Sequence, residues 1–126
     1  MGPNQELDVI YNRYGEPVLR LLADGRFVGF DGSNFGFLDG KNLYDYKGQH
    51  RGWFEGGVMR DHSSAVVGFG ENATDTPRPF LPFKQFKPFP GFVQFAPFRP
   101  YKQFAPFQPF KQYAWSYLDP RGLFYS

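Results

Sequence analysis

Cysteine is absent from this chain of 126 residues, and that excludes disulfides, thiolate metal centres and a cysteine nucleophile. No apolar run approaches the roughly 18 residues a membrane span needs. The opening stretch MGPNQELDV has neither the basic nor the apolar region of a signal peptide, so a cytoplasmic location is expected. Gly2 is not read as a myristoylation site, because Pro3 and Glu6 stand where that motif carries an ordinary residue and a Ser or Thr. A Ser-His-Asp order, a phosphate-cradling glycine loop and metal-ligand spacing are all missing, so the chain reads as a non-enzyme with no cofactor, no metal and no catalytic residue. Net charge is also small, at +2, which disfavours nucleic acid as a partner. The charge is unevenly placed: residues 1–70 hold seven Lys/Arg against nine Asp/Glu, and the remainder holds seven against three. An acidic body therefore precedes a basic tail.

The tail is dominated by one period. Phe80, Phe83, Phe86, Phe89, Phe92, Phe95, Phe98, Tyr101, Phe104, Phe107, Phe110 and Tyr113 place an aromatic ring at every third position. Strands repeat every 2 residues and α-helices every 3.6, whereas polyproline II turns once in three and aligns such rings in one stripe. The residues between the rings repeat every nine, as PFLPFKQFK, PFPGFVQFA, PFRPYKQFA and PFQPFKQYA over residues 79–114.

The body holds a second repeat. Arms 9–15, 26–32, 42–48 and 58–64 align, with turn positions at 15, 32, 48 and 64, and each is followed by a second short arm at 17–20, 34–37, 50–53 and 66–69. Short β-rich runs bounded by Gly and Asp read as hairpins, giving eight antiparallel strands. Ile10, Phe27, Leu43 and Met59 share an apolar slot, and Phe37, Trp53 and Phe69 share another in which the first unit has Arg20. Glycines at 36, 52 and 68 suggest a kink repeated around an axis, and a meander of kinked strands that closes on itself removes exposed edges. The expected fold is all-β: four hairpins closing into a shallow pseudo-four-fold barrel, with a polyproline II tail. The expected divisions are a barrel at 1–70, a linker at 71–78, the repeats at 79–114 and an anchoring turn at 115–126.

Tyr14-Gly15, Phe35-Gly36-Phe37, Leu43-Tyr44-Asp45, Gly52-Trp53-Phe54, Arg60-Asp61 and Val67-Gly68-Phe69, with Ala114-Trp115-Ser116 closing the Pro-rich run, resemble the small bacterial four-fold beta-flower proteins. The resemblance implies a shallow symmetric barrel with an apolar central channel, likened in shape to Tubby-like and LURP-one-like lipid-binding domains, and no established activity.

Asn12, Asp45 and Asp61 read as turn caps rather than paired carboxylates. His50 and His62 read as solvated hairpin residues rather than a metal or acid–base site. The tail has three open fates. It wraps the barrel, around which a layer packed about 10 Å outside the strands has a circumference of roughly 113 Å, matching the tail's extended length of about 110 Å; it projects and bundles with other copies; or it stays disordered. In the first two, the twelve rings and Trp115 are expected to pack on a surface, with Trp115, Leu118, Leu123 and Phe124 pinning the end and Asp119-Pro120 starting a helical turn. The leading function expected is a lipid, acyl chain or hydrophobic peptide bound in a channel lined by Ile10, Phe27, Leu43 and Met59, with Phe37, Trp53 and Phe69 nearby, and peripheral membrane contact through the basic tail. A structural homo-oligomer joined by aromatic tails is the alternative, and single-stranded nucleic acid stacked on the rings is a minor one.

Overall fold

The structure is a computed structural model and describes residues 2–71, 73–74 and 82–125. Eight strands run in chain order around one closed antiparallel barrel: β1 (Glu6–Tyr11), β2 (Pro17–Leu22), β3 (Arg26–Val28), β4 (Asn34–Asp39), β5 (Asn42–Tyr44), β6 (His50–Glu55), β7 (Val58–Arg60) and β8 (Val66–Phe69). The hairpins read from the sequence are β1–β2, β3–β4, β5–β6 and β7–β8.

Register shifts recur at one repeat position. The ladder slips after Ile10, Phe27, Leu43 and Met59, whose partners are Leu19, Gly36, Gly52 and Gly68. A bulge bends its strand and adds twist, so four equivalent bulges let short strands close a small ring. The seam is thin: β1 meets β8 through the pair Tyr11 and Phe69, whose rings stack at 5.6 Å. Asp8 reinforces it by accepting the Glu71 N–H at 2.9 Å. Burial raises the Asp8 carboxyl above its usual range, against the pull of that N–H and of Val9 N–H.

All four hairpin loops are built alike. Asn12, Gly29, Asp45 and Asp61 each donate their N–H to the carbonyl four residues on. The Asn12 Oδ1 accepts from Tyr14 and Glu16 N–H, Asp45 Oδ1 from Lys47 and Gln49, and Asp61 Oδ1 from Ser63 and Ala65. These side chains are turn caps, and the two aspartates use their second oxygen elsewhere, Asp45 on Arg51 at 2.8 Å and Asp61 as acceptor from Ser116 Oγ at 2.6 Å. The left-handed residue that ends each loop is Gly15, Gly32 or Gly48, and in the fourth it is Ser64 at φ 63°.

Ile10, Phe27, Leu43 and Met59 form one fully buried layer with Leu19, Val67, Leu123 and Phe124. The last two come from α1 (Pro120–Leu123) and its C-cap, so the chain's end closes the barrel. Asp119 accepts from Arg121 N–H as the N-cap, and Pro120 occupies the first turn, where a missing N–H leaves no orphan. Gly36 is where this closure is tightest: a Cβ there would lie 2.4 Å from the Phe124 ring. Arg20, the exception in the aromatic slot, is buried against Glu6 with a 2.8 Å ion pair.

Residues 82–114 carry no strand or helix. They nevertheless pass every hairpin in turn. Gln85, Gln94, Gln103 and Gln112 donate their backbone N–H to the carbonyls of Gly15, Gly32, Gly48 and Ser64 at 2.8, 2.9, 2.8 and 3.1 Å. The nine-residue period of the tail thus meets the sixteen-residue period of the barrel, one glutamine N–H to each loop, and at the second loop Gly91 N–H adds a bond to the Phe30 carbonyl at 2.6 Å. The passage ends in a parallel bridge between Trp115 and Val66.

Candidate functional site

The docked backbone turns the rings outward. Phe83, Phe86, Phe89, Phe92, Phe95, Phe98, Tyr101, Phe104, Phe107 and Phe110 are each between 95 and 103% exposed. The expectation that the stripe would pack on its own hairpins is therefore corrected, and the reason is local. Each Gln N–H must point at a loop carbonyl, and each Gln is followed directly by a ring (Phe86, Phe95, Phe104, Tyr113) that the same geometry directs away. Tyr113 is 51% exposed with the Arg60 guanidinium over its ring at 5.2 Å, and Trp115 packs edge-on against Phe69. Phe80 lies outside the described residues.

Close approach of the tail depends on glycine. A Cβ on Gly15, Gly32 or Gly48 would stand 1.9, 1.7 or 2.1 Å from the carbonyl oxygen of Phe83, Phe92 or Tyr101, far inside contact distance. The positive φ of these loops and the passage of the tail thus make the same demand.

Electrostatics fastens the belt further. Lys87 pairs with Glu71 at 2.9 Å, Lys102 pairs with Asp39, and Lys84 donates to the Glu71 carbonyl. Arg99 donates to the Asp24 carbonyl at 2.6 Å and lies over the Phe37 ring at 4.6 Å. Much of the basic tail thus answers the acidic body. The Glu71 carboxyl is held below its usual range first by Lys87, and it accepts from Tyr11 Oη at 3.1 Å. The Tyr11 phenol is pushed up to about 12, by burial first and by Glu71 second.

The predicted channel residues are placed as follows. Ile10, Phe27, Leu43 and Met59 meet at the centre, where Phe124 lies 5.9 Å from the Phe27 ring. Phe37, Trp53 and Phe69 are buried but stand apart from that layer: Phe37 stacks on Tyr44, Trp53 sits against His50, and Phe69 belongs to the seam with Val9 and Tyr11. They cover the outer side of the barrel, and the sequence placed them too near the axis.

The two histidines correct another expectation. His50 is 2% exposed and is bonded through Nδ1 to Nε2 of His62 at 2.9 Å, while its Nε2 meets Asn42 Oδ1 at 3.0 Å. Since Asn42 offers an oxygen, His50 Nε2 donates and its Nδ1 accepts from His62 Nε2, an arrangement that requires the His50 ring to be neutral. Burial holds His50 down to about 4, with His62 adding to the effect, and burial also lowers His62 against the opposing pull of Asp61. Only His62 remains on the surface. Among the described residues no group of three His, Cys, Asp or Glu is placed to hold a metal, and no helix is long and apolar enough to cross a membrane.

One cavity of about 1010 Å³ opens between the tail's last repeat and the third hairpin, with Trp53, Glu55, Pro106, Phe107 and Phe110 around it. Neither Ile10, Phe27, Leu43 nor Met59 reaches it.

A closed eight-strand barrel of four like hairpins, bound by its own C-terminal segment and sealed by its last helix, defines a hairpin-repeat barrel with an external aromatic belt. The chain belongs to the 4-fold beta flower protein family, whose family model matches residues 8–124. Neither a search of curated proteins nor one of solved structures gave a match.

Proposed function

We propose that the protein is a non-catalytic interaction module whose working surface is the aromatic belt, and that belts of separate copies associate. The observation carrying this reading is that ten consecutive period-three rings face solvent on a backbone fastened at every hairpin. At roughly 150 Å² or more per ring, the belt offers on the order of 1,500 Å² of aromatic surface, several times the largest apolar patch of a typical monomer. The finer architecture follows from the same reading. The tail is polyproline II in four nonapeptides around a pseudo-four-fold barrel. Of its three stripes, one contains only Pro, Gly and Gln and faces the loops, one carries the cations and faces Glu71, Asp24 and Asp39, and the third, 120° from both, holds the rings. The stripe against the barrel suits burial, because proline has no N–H to leave unpaired and each Gln supplies one donor for one loop. Light scattering tests the proposal: mass should rise with concentration above the 14.6 kDa of one chain and return to it when Phe86, Phe95 and Phe104 are changed to Ser. A wild type that stays at 14.6 kDa throughout contradicts it.

A lipid, acyl chain or apolar peptide inside the barrel is the second reading. It is favoured by the apolar interior and by the identity of what fills its end, Leu123 and Phe124 of a four-residue helix. Such a ligand would enter by displacing α1. Liposome flotation of the Phe124→Ala variant at low salt tests it, and no recovery with the vesicles refutes it. Nucleic acid finds less support, since Lys87 and Lys102 already answer Glu71 and Asp39.

A further inference from the structure

Spacing and fastening together say how two belts meet. Along a polyproline II backbone the rings recur at roughly 9.3 Å, three residues at about 3.1 Å each. A ring of a second belt laid between two of them stands about 4.7 Å from each, a little more on a convex arc, and aromatic pairs prefer roughly 4.5–7 Å. The stripe therefore suits another stripe of the same period, and a second copy of this chain supplies one. The tail passes the hairpins in turn around a closed barrel, so its stripe is convex and two stripes touch over a short arc.

The second nonapeptide, residues 88–96, is the arc best prepared for that contact. Four hydrogen bonds hold its backbone: Gly91 N–H to the Phe30 carbonyl at 2.6 Å, Gln94 N–H to Gly32 at 2.9 Å, Arg26 Nη1 to the Gln94 carbonyl at 3.0 Å and Asn34 Nδ2 to the Phe95 carbonyl at 2.9 Å. A backbone already fixed loses less freedom on association. The other repeats carry Lys84 and Lys87, Arg99 and Lys102, or Lys111. Lys87 and Lys102 are ion-paired with Glu71 and Asp39, and covering a paired charge still costs its hydration. PFPGFVQFA has no charge to strip, and Asp31 in the second loop spends its carboxylate on Ser33 N–H and Oγ.

We infer that two copies pair two-fold through residues 88–96, with Phe89, Phe92 and Phe95 of each interdigitating with those of the other, an inference that rests on the association reading above. The three rings are 99 or 100% exposed in the single chain. Six rings at roughly 200 Å² each bury about 1,200 Å² in total, the lower end of specific interfaces. The same patch serves on both copies, so the contact is isologous and closes at two chains. Antiparallel interdigitation about that axis sets Phe92 of one copy beside Phe92 of the other.

Charge placed at the axis tests this. Phe92→Asp and Phe92→Lys alter a side chain that is 100% exposed, so circular dichroism should match wild type. In sedimentation velocity wild type should reach twice the 14.6 kDa of one chain and stop. Each variant alone should pair about tenfold or more weakly, the loss expected for an interface anchor. An equimolar mixture should recover a one-to-one dimer, because unlike charges then meet at the axis. Phe104→Asp, in the third repeat and 98% exposed, should pair as wild type does. Wild type that associates beyond two chains, that keeps its association in the Phe92 variants, that loses it equally in Phe104→Asp, or whose mixed variants fail to recover it overturns the inference and leaves the belt reading standing. Wild type that is monomeric at every concentration overturns both.

Discussion

Replacing Gly48 by Ala separates the cost of the loop from the cost of the belt. The residue sits at φ 84°, where an L side chain costs roughly 1–2 kcal/mol. Its new Cβ would also stand 2.1 Å from the Tyr101 carbonyl oxygen, a backbone atom that cannot swing aside, so the tail must move out by about 1 Å. That movement breaks the 2.8 Å bond from Gln103 N–H to Gly48 and leaves the donor dependent on water, a further loss of roughly 1 kcal/mol. Gly40 is the matched control, at φ 62° with nothing within 4 Å of where a methyl group would stand, so Gly40→Ala should show the backbone cost alone. Urea unfolding should place Gly48→Ala at about 2–3 kcal/mol below wild type and Gly40→Ala at about 1–2. Equal losses in the two variants would refute the claim that the tail rests on the third loop.

Stability should also depend on the histidine pair. His50 is held at about 4, below its usual 6.5, so the unfolded chain binds the proton more readily. The associated stability is complete above pH 6.5 and is lost as the pH falls through about 4, by roughly 3 kcal/mol at most. His50→Asn should flatten that part of the profile, and an unchanged profile would contradict a buried, neutral His50. Ser64→Gly relieves the only non-glycine positive φ among the described residues, and thermal unfolding should show a gain of about 1 kcal/mol. Phe124→Ala empties the end of the barrel and should cost about 3–5 kcal/mol in the same assay.

Much of the barrel was legible because its repeats are written in residue types with one structural meaning. A turn residue at 15, 32, 48 and 64 and an apolar residue at 10, 27, 43 and 59 fix where chains reverse and what points inward. The period of three gave the stripe, but a stripe carries no sign: the rings and the Pro–Gln positions repeat equally well, and the hydrophobic preference chose the wrong face for the barrel. The available signal was Gln at every ninth residue, a single donor matched to four loops. The histidine pair was hidden because His50 opens β6 while His62 lies in the loop after β7, and only the packing of β6 against β7 joins them. Phe124 looked like an anchor and is one, but nothing in its sequence context reveals that it lies in the barrel's centre.

Residue-resolved amide hydrogen exchange across 82–114 tests the belt most directly. The account predicts slow exchange at Gln85, Gln94, Gln103 and Gln112, nine residues apart, and at Gly91, with fast exchange at the ring residues that follow the glutamines. A tail that exchanges uniformly fast, or whose protection lacks the nine-residue spacing, would contradict it.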